Sequence, residues 1–391
     1  MKLVFATSAI EAYRPIFYRL LDEFEEENPH IDVEYLEIPG NYYQKLLVMI
    51  AGRNAPDLMW MGQSFAEFAS RGAFLDLSER IEAEIDTREY HATVLGWYRM
   101  NGKQLGIPYG IDTEFIAYNK ALLDEAGVAY PKDGWTLEEF VEMARALTLD
   151  RDGDGRTDQY GFRGEIDHSA FGAEIIAADG SRALCNSPEM IETLEFNLNL
   201  VHKWKVAPRA EDPLIAATDE YSIFSQGRAA MMRMYTWNVE YLRERCADVD
   251  WDIVGMPRAA RPAHWASSGS FLVAADTKQP DASWLLFKKL LSDDFQLAMS
   301  SQSLPANLRV AQQLVDQNTR RPENLQAIFD ATEYLYPNPR IPNLQELLGH
   351  FRRSKEKVLL CYGTDEYMKP EDAMAEAEKR INRTIERRSK R

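Results

Sequence analysis

The chain is short of cysteine, of positive charge and of long apolar runs, and each shortage excludes a class of protein. It holds three cysteines in 391 residues. These are Cys185, Cys246 and Cys361, with no CxxC pair and no Cys/His cluster, so neither a zinc fold nor a disulfide-dense scaffold is indicated. They read as small buried or half-buried residues; one disulfide stays open, and the sequence does not choose its pair. Lys and Arg number 45 against 62 acidic residues, a formal charge of −17. Nucleic acid and anionic membrane surfaces both reward clustered cations, so neither is an expected partner. No run of about 18 apolar residues occurs, which excludes a transmembrane helix. GxSxG, HExxH, a P-loop and a GxGxxG βα turn are all missing, and six histidines are scattered. Asp112 and Glu114 imitate a glycosidase acid–base pair, but among 62 acidic residues such a pair arises by chance. The chain is read as a non-enzyme.

What is present is material for two cores. The length exceeds that at which a single core stops growing, and 45% hydrophobic with 11% aromatic residues is ample. After Met1 and Lys2 the chain goes straight into an apolar strand, without a signal-like region. Either it is cytoplasmic or a targeting segment has been removed.

The opening alternates strand and helix. Leu3 to Thr7 is a strand, then Ile16, Phe17, Leu20, Leu21 and Phe24 form a helical stripe. Asn28-Pro29 ends that helix, and Ile31, Val33 and Tyr35 alternate as a strand. Tyr43, Leu46, Leu47 and Ile50 give a second helix before the buried strand Asp57 to Met61. This βαβαβ pattern implies an α/β fold, mainly parallel, with ligands at the carboxyl ends of its strands. Ser64 to Glu67 and Thr136 to Glu139 are capping boxes, and Asn101-Gly102 signals a hairpin turn. The organising stretch is Leu105 to Lys120: a strand to Tyr109, a Gly-Ile-Asp-Thr turn, then Phe115 to Tyr118. It reads as the chain leaving one lobe for another, with a ligand cleft between them. Ala229 to Met234 is a strand that delivers Tyr235, Thr236 and Trp237 to its end. Trp251 to Met256 is another strand, Arg258 to Ser268 is loop-like, and Gly269 to Ala275 is a strand.

Asp150 to Asp158 carries the most explicit chemistry. Asp150, Asp152, Asp154 and Asp158 stand at the first, third, fifth and ninth places of an EF-hand-like loop, with Gly155 sixth and the Arg156 carbonyl seventh. The twelfth place is Gly161, not a bidentate Glu. The reading is a partial calcium loop that takes a further ligand from elsewhere or a water; a polar Asp/Gly turn is the alternative.

Several short motifs in order resemble one family, the extracytoplasmic solute-binding proteins of ABC importers, in the sugar-binding group that includes maltose-binding protein. They are Asn54-Ala55-Pro56-Asp57-Leu58, Gly106-Ile107-Pro108-Tyr109, Tyr118-Asn119-Lys120 with Glu125-Ala126-Gly127, Trp135-Thr136, Phe224 to Met231, and Gly269-Ser270. The resemblance implies a two-lobed, periplasmic-binding-protein-like fold whose hinge is crossed three times, near Gly110, Arg258 and Pro305. Lobe one is then residues 1–110 with 259–305 returning to it, and lobe two is 111–258 with most of 306–391. It implies a monomeric receptor that closes on a carbohydrate and delivers it to a membrane permease. It also implies work outside the cytoplasmic membrane, in a periplasm or tethered by lipid, with the signal segment trimmed. Similar loops in the family hold calcium. Where the family often has Arg after Leu304-Pro305-Ala306, this chain has Asn307.

A sugar offers apolar C–H faces and hydroxyls, so it is held by an aromatic platform and by polar groups that take hydroxyls in pairs. Trp60, Trp237 and Trp265 fall at strand ends or in loops and are the expected platforms. Gln63, Tyr109, Asp112 and Ser8 are the expected polar partners. Trp97, Trp204, Trp251 and Trp284 lie in periodic segments and read as packing; Asp57 reads as an internal cap and Glu114 is left undecided. The alternatives are a receptor for a polyol or glycerol phosphate ester, and a glycoside-processing enzyme.

Overall fold

The alternation that opens the sequence becomes a parallel sheet because every core-facing residue of its first strand is buried: Leu3, Phe5 and Ala6 expose nothing. The structure is a computed structural model, and it describes residues 1–213, 218–337 and 339–389. In chain order its strands are β1 (Lys2–Ser8), β2 (Asp32–Ile38), β3 (Leu58–Met61), β4 (Arg99–Met100), β5 (Lys103–Gln104), β6 (Pro108–Asn119), β7 (Tyr160–Arg163), β8 (Ala229–Tyr235), β9 (Trp251–Val254), β10 (His264–Val273), β11 (Leu304–Pro305) and β12 (Leu335–Pro337). Two units divide the chain. One is Met1–Asp112, Ser267–Gln317 and Arg340–Asn343; the other is Thr113–Ala266, Asn318–Pro339 and Leu344–Arg391.

In the first unit β1 pairs in parallel with β2 and β3, as the βαβαβ pattern implies. Helix Arg14–Glu27 buries Phe17, Leu20, Leu21 and Phe24. Phe17 meets Phe5 edge-on at 5.4 Å and Phe271 at 6.0 Å, which joins helix to sheet. The pattern does not reveal that β10 adds antiparallel to β3, with Phe271 opposite Trp60. Asn101 and Gly102 take φ of 52° and 80°, the left-handed pair a two-residue hairpin requires, and they join β4 to β5.

The turn expected at Gly110 to Thr113 is not there: β6 runs unbroken from Pro108 to Asn119. Gly110 and Ile111 pair with Pro305 and Leu304 of β11. A Cβ on Gly110 would stand 2.7 Å from the Ser303 side chain, so this glycine serves close approach rather than a turn. Long-range pairing overrides a turn-like composition.

The second unit is built on the later half of β6. It pairs antiparallel with β8, Phe115 opposite Met234, and with β9, Ala117 opposite Ile253, while β7 lies parallel to β8. Phe140, Phe162, Ile116, Met231 and Val254 form the core, with Phe140 and Phe162 edge-on at 4.8 Å. The Thr136 capping box forms: Glu139 N–H donates to Thr136 Oγ1 at 3.2 Å and Thr136 N–H to Glu139 Oε2 at 2.7 Å. The Ser64 box does not form, because Ser64 is already helical (φ −84°, ψ 0°) and its side chain makes no cap. The expected loop at Arg258 to Ser268 is a strand from His264 onward, where β12 pairs with it, Tyr336 opposite Trp265. Trp97, Trp251 and Trp284 are buried and Trp204 half-buried.

Candidate functional site

In the first unit the structure brings Trp60 and Tyr109 together at the end of β3. Trp60 is half-buried, and its indole Nε1 donates to the Tyr109 hydroxyl at 3.2 Å. The Tyr42 hydroxyl donates to the Trp60 carbonyl at 2.9 Å, and the Tyr43 ring stacks with the indole at 6.2 Å. Gly269 makes room for this pair: a Cβ there would lie 2.7 Å from the Trp60 Nε1 and from the Tyr109 ring. Tyr109 is buried and stacks on Phe271 at 5.0 Å. Burial raises its phenol well above the usual range, so it stays protonated and orients the indole. Gln63 is half-buried one residue beyond Gly62, and Ser8 is half-buried at the end of β1. Asp112 accepts the Ser267 hydroxyl at 2.8 Å on one carboxylate oxygen and the Ser303 hydroxyl on the other. That geometry fixes the carboxylate.

In the second unit Trp237 and Trp265 come together, and Tyr235 completes a three-ring cluster. Tyr235 and Trp237 stack at 4.5 Å and 12°, and Trp265 meets them edge-on at 5.4 and 5.9 Å. All three are half-buried. Beside the rings lies a charge network of buried Glu114 with half-buried Arg233 and Asp167. Glu114 accepts Arg233 Nε at 2.5 Å and, with its other oxygen, the Trp265 backbone N–H at 3.0 Å. The Trp265 carbonyl accepts the Thr113 hydroxyl at 3.2 Å. Arg233 also lies 3.7 Å from Asp167 and 5.2 Å from the centre of the Tyr235 ring. Burial raises the Glu114 carboxyl above its usual range, with Arg233 opposing. Burial also opposes the Asp167 charge, but His168 and Arg233 hold that carboxyl well below its usual range.

Sequence reasoning missed Arg233 and Tyr235 and left Glu114 undecided. One signal was available. In Ala229 to Tyr235 the single charge is Arg233, and Arg233, Tyr235 and Trp237 recur every second residue, the spacing of one strand face.

Residues 9–297 match the family described as bacterial extracellular solute-binding protein. The chain belongs to that family. Among curated relatives, the maltodextrin-binding protein MdxE of Bacillus subtilis is 23% identical over 368 residues, covering 88% of this chain and 82% of the relative. An arabinooligosaccharide-binding protein of Halalkalibacterium halodurans is 23% identical over 272 residues, covering 68% and 59%. Among solved structures, an ABC substrate-binding protein of Listeria monocytogenes in complex with cycloalternan superposes with a TM-score of 0.83 at 25% identity, covering 98% of this chain and 99% of that one. The sugar-binding protein MalE of Xanthomonas citri gives 0.83 at 20% identity, covering 100% and 98%. The resemblance carried by the short motifs therefore holds, as does the periplasmic-binding-protein-like α/β fold. The family is one of extracellular binding proteins.

In this solute-binding protein the acidic loop is partly assembled. Carboxylate oxygens of Asp150, Asp152 and Asp158 lie within 4.8 Å of one another. Asp154 instead accepts the Arg156 backbone N–H at 2.7 Å, and Asp150 accepts the N–H groups of Gly153 and Gly155 at 2.8 and 2.9 Å. Gly153 and Gly155 take φ of 76° and 86°, which this winding needs. Three carboxylates at this separation fit a hard, oxygen-seeking cation. The three cysteines are free thiols, Cys185 and Cys246 buried and Cys361 half-buried. Burial pushes the Cys185 thiol up to about 12 and that of Cys246 to about 11, so both stay protonated.

Proposed function

We propose that this solute-binding protein is a carbohydrate receptor of an ABC importer, acting as a monomer that hands its ligand to a membrane permease. The observation that carries the reading is the cluster of Tyr235, Trp237 and Trp265: half-buried rings packed on one another, with the Glu114–Arg233 pair against the Tyr235 ring and the Trp265 backbone. A ring held in place without ordering cost at binding suits the C–H face of a pyranose. Trp60, propped by Tyr109, offers a second indole of the same kind. The names of the relatives, which bind maltodextrin and arabinooligosaccharide, support the same reading.

A thermal-shift panel of mono- and oligosaccharides tests it, each hit being assayed for hydrolysis. A ligand at about 100 times its Kd adds about 2.7 kcal/mol. A rise in melting temperature without product is the expected result. Product formation would replace the receptor by a glycosidase, and a panel with no shift would move the ligand outside carbohydrates. Closure about the hinge is part of the proposal, and a smaller radius of gyration with ligand in small-angle scattering is its check.

Calcium at Asp150, Asp152 and Asp158, completed by Asp154, by the Arg156 carbonyl or by water, is a further part of the proposal. Its role would be structural, since a cation offsets the mutual repulsion of clustered carboxylates. Chelator is expected to lower the melting temperature, and Asp152→Ala to remove that sensitivity. A melt indifferent to chelator would leave the loop as a polar turn.

A further inference from the structure

We propose that Arg340 selects the solute, offering its guanidinium to an anionic group on a saccharide, a uronate carboxylate or a phosphate ester, beside Trp60. The inference rests on the carbohydrate reading above and narrows its ligand class.

Arg340 opens the short segment Arg340–Asn343 that belongs to the first unit. Its guanidinium lies over the Trp97 ring at 4.8 Å and the Tyr98 ring at 5.8 Å. Nη1 donates to the Gly62 carbonyl at 3.4 Å, a long bond, and Nε is buried without an acceptor. Gly62 follows Trp60 and Met61 directly. A Cβ on it would stand 3.1 Å from the Trp60 ring, and its N–H donates to the Tyr43 hydroxyl at 3.3 Å. Arg340, Tyr43, Trp60 and the approach to Gln63 therefore meet around one glycine.

Among the described residues no carboxylate forms an ion pair with Arg340. The groups that act on its charge are the phenols Tyr98 and Tyr43, and burial drives its proton affinity down against them. The Tyr98 hydroxyl is itself engaged, donating to the Ser268 carbonyl at 2.7 Å. Asp112 has both carboxylate oxygens on serine hydroxyls. The guanidinium lies over two rings, its Nη1 makes only a long bond and its Nε has no acceptor, so donors of its fork remain for a ligand. Arg340 is half-buried with its Nε enclosed, and a partly desolvated cation without an anion is costly. An oxyanion offers two acceptor oxygens in the spacing of the guanidinium fork and supplies the missing charge, whereas a sugar hydroxyl offers one neutral oxygen and leaves the charge uncompensated.

Isothermal titration of the whole chain with matched triplets tests this: a neutral oligosaccharide, its uronate form and its 6-phosphate. The expected result is that one anionic member binds about 10- to 100-fold tighter than the neutral one. Arg340→Gln should erase that preference, and Arg340→Lys, which keeps the charge without the fork, should retain part of it. Which anionic member is preferred separates carboxylate from phosphate. Equal or tighter binding of the neutral sugar by the unaltered protein overturns the inference and leaves the carbohydrate reading standing. So does an Arg340→Gln protein that loses neutral and anionic members to the same degree, since that is the behaviour of a packing residue. If no saccharide of any class binds, the carbohydrate reading falls and this inference with it.

Discussion

Glu114 holds the Trp265 backbone with one oxygen and Arg233 with the other while exposing only 1% of its surface. It thereby links Trp265 of β10 to β6, its own strand, and to Arg233 of β8. Glu114→Gln preserves the shape but removes the carboxylate bonded to Arg233, leaving Asp167 at 3.7 Å and the more distant Glu165. Uncovering a buried charge costs about 3 kcal/mol, so urea unfolding followed by tryptophan fluorescence should shift by that amount; an unchanged midpoint would mean the pair is not needed. Trp237→Ala and Trp265→Ala are expected to act on binding instead. Each removes one ring of the cluster, for about 1.5 kcal/mol or about tenfold weaker affinity in titration with the ligand the panel identifies. Both indoles stand out in the sequence as candidates, Trp237 at a strand end beside Asn238 and Trp265 in a stretch expected to be a loop. Glu114 and Arg233 do not. A charge that reads as solvated when taken singly becomes a structural tie only when its partner, 119 residues away, is brought to 2.5 Å.

At the scale of elements, local chemistry decided some features and was overruled in others. Thr136 and Glu139 cap their helix because Thr136 is extended (φ −98°, ψ 164°) and its hydroxyl reaches the third N–H. Ser64 and Glu67 have the same spacing, but the chain enters that helix already curled. Gly161 shows how tightly helix Leu137–Ala146 lies on β7: a Cβ there would fall 1.9 Å from the Ala144 carbonyl oxygen. Gly161→Ala must push helix from strand, and overpacking of this kind costs about 3 kcal/mol. A folded Gly161→Ala protein with the parent's unfolding midpoint would show that the helix yields freely. No periodicity argument finds this contact, since a glycine in a strand reads only as a weak strand residue.

For the whole molecule, pH sets stability through groups that fold into unlike surroundings. His264 is buried, with Nδ1 unpartnered. Burial lowers its imidazole to about 4, Asp133 opposing only in part. The unfolded chain therefore takes the proton first. The contribution of His264 is fully present above about 6.5, is lost as pH falls toward about 4, and amounts to about 3 kcal/mol. Glu114 works in the opposite sense, because its raised carboxyl favours the folded state at low pH and loses that advantage as pH rises through its folded value. Urea midpoints should fall as pH is lowered through this window, and His264→Asn should flatten the fall; an undiminished slope would place its origin elsewhere. The α/β class, the parallel opening of the first unit, the absence of catalytic signatures and the family can all be read along the chain, because they follow from short-range periodicity and from motifs that keep their order. Tertiary structure alone decided that β6 passes straight through a turn-like segment, that β10 begins inside an expected loop, and that Arg233, Glu114 and Arg340 belong beside the aromatic rings. Those outcomes depend on pairing and on burial between residues far apart in sequence, where a strand partner or a buried charge outweighs the local preference of the residues it meets.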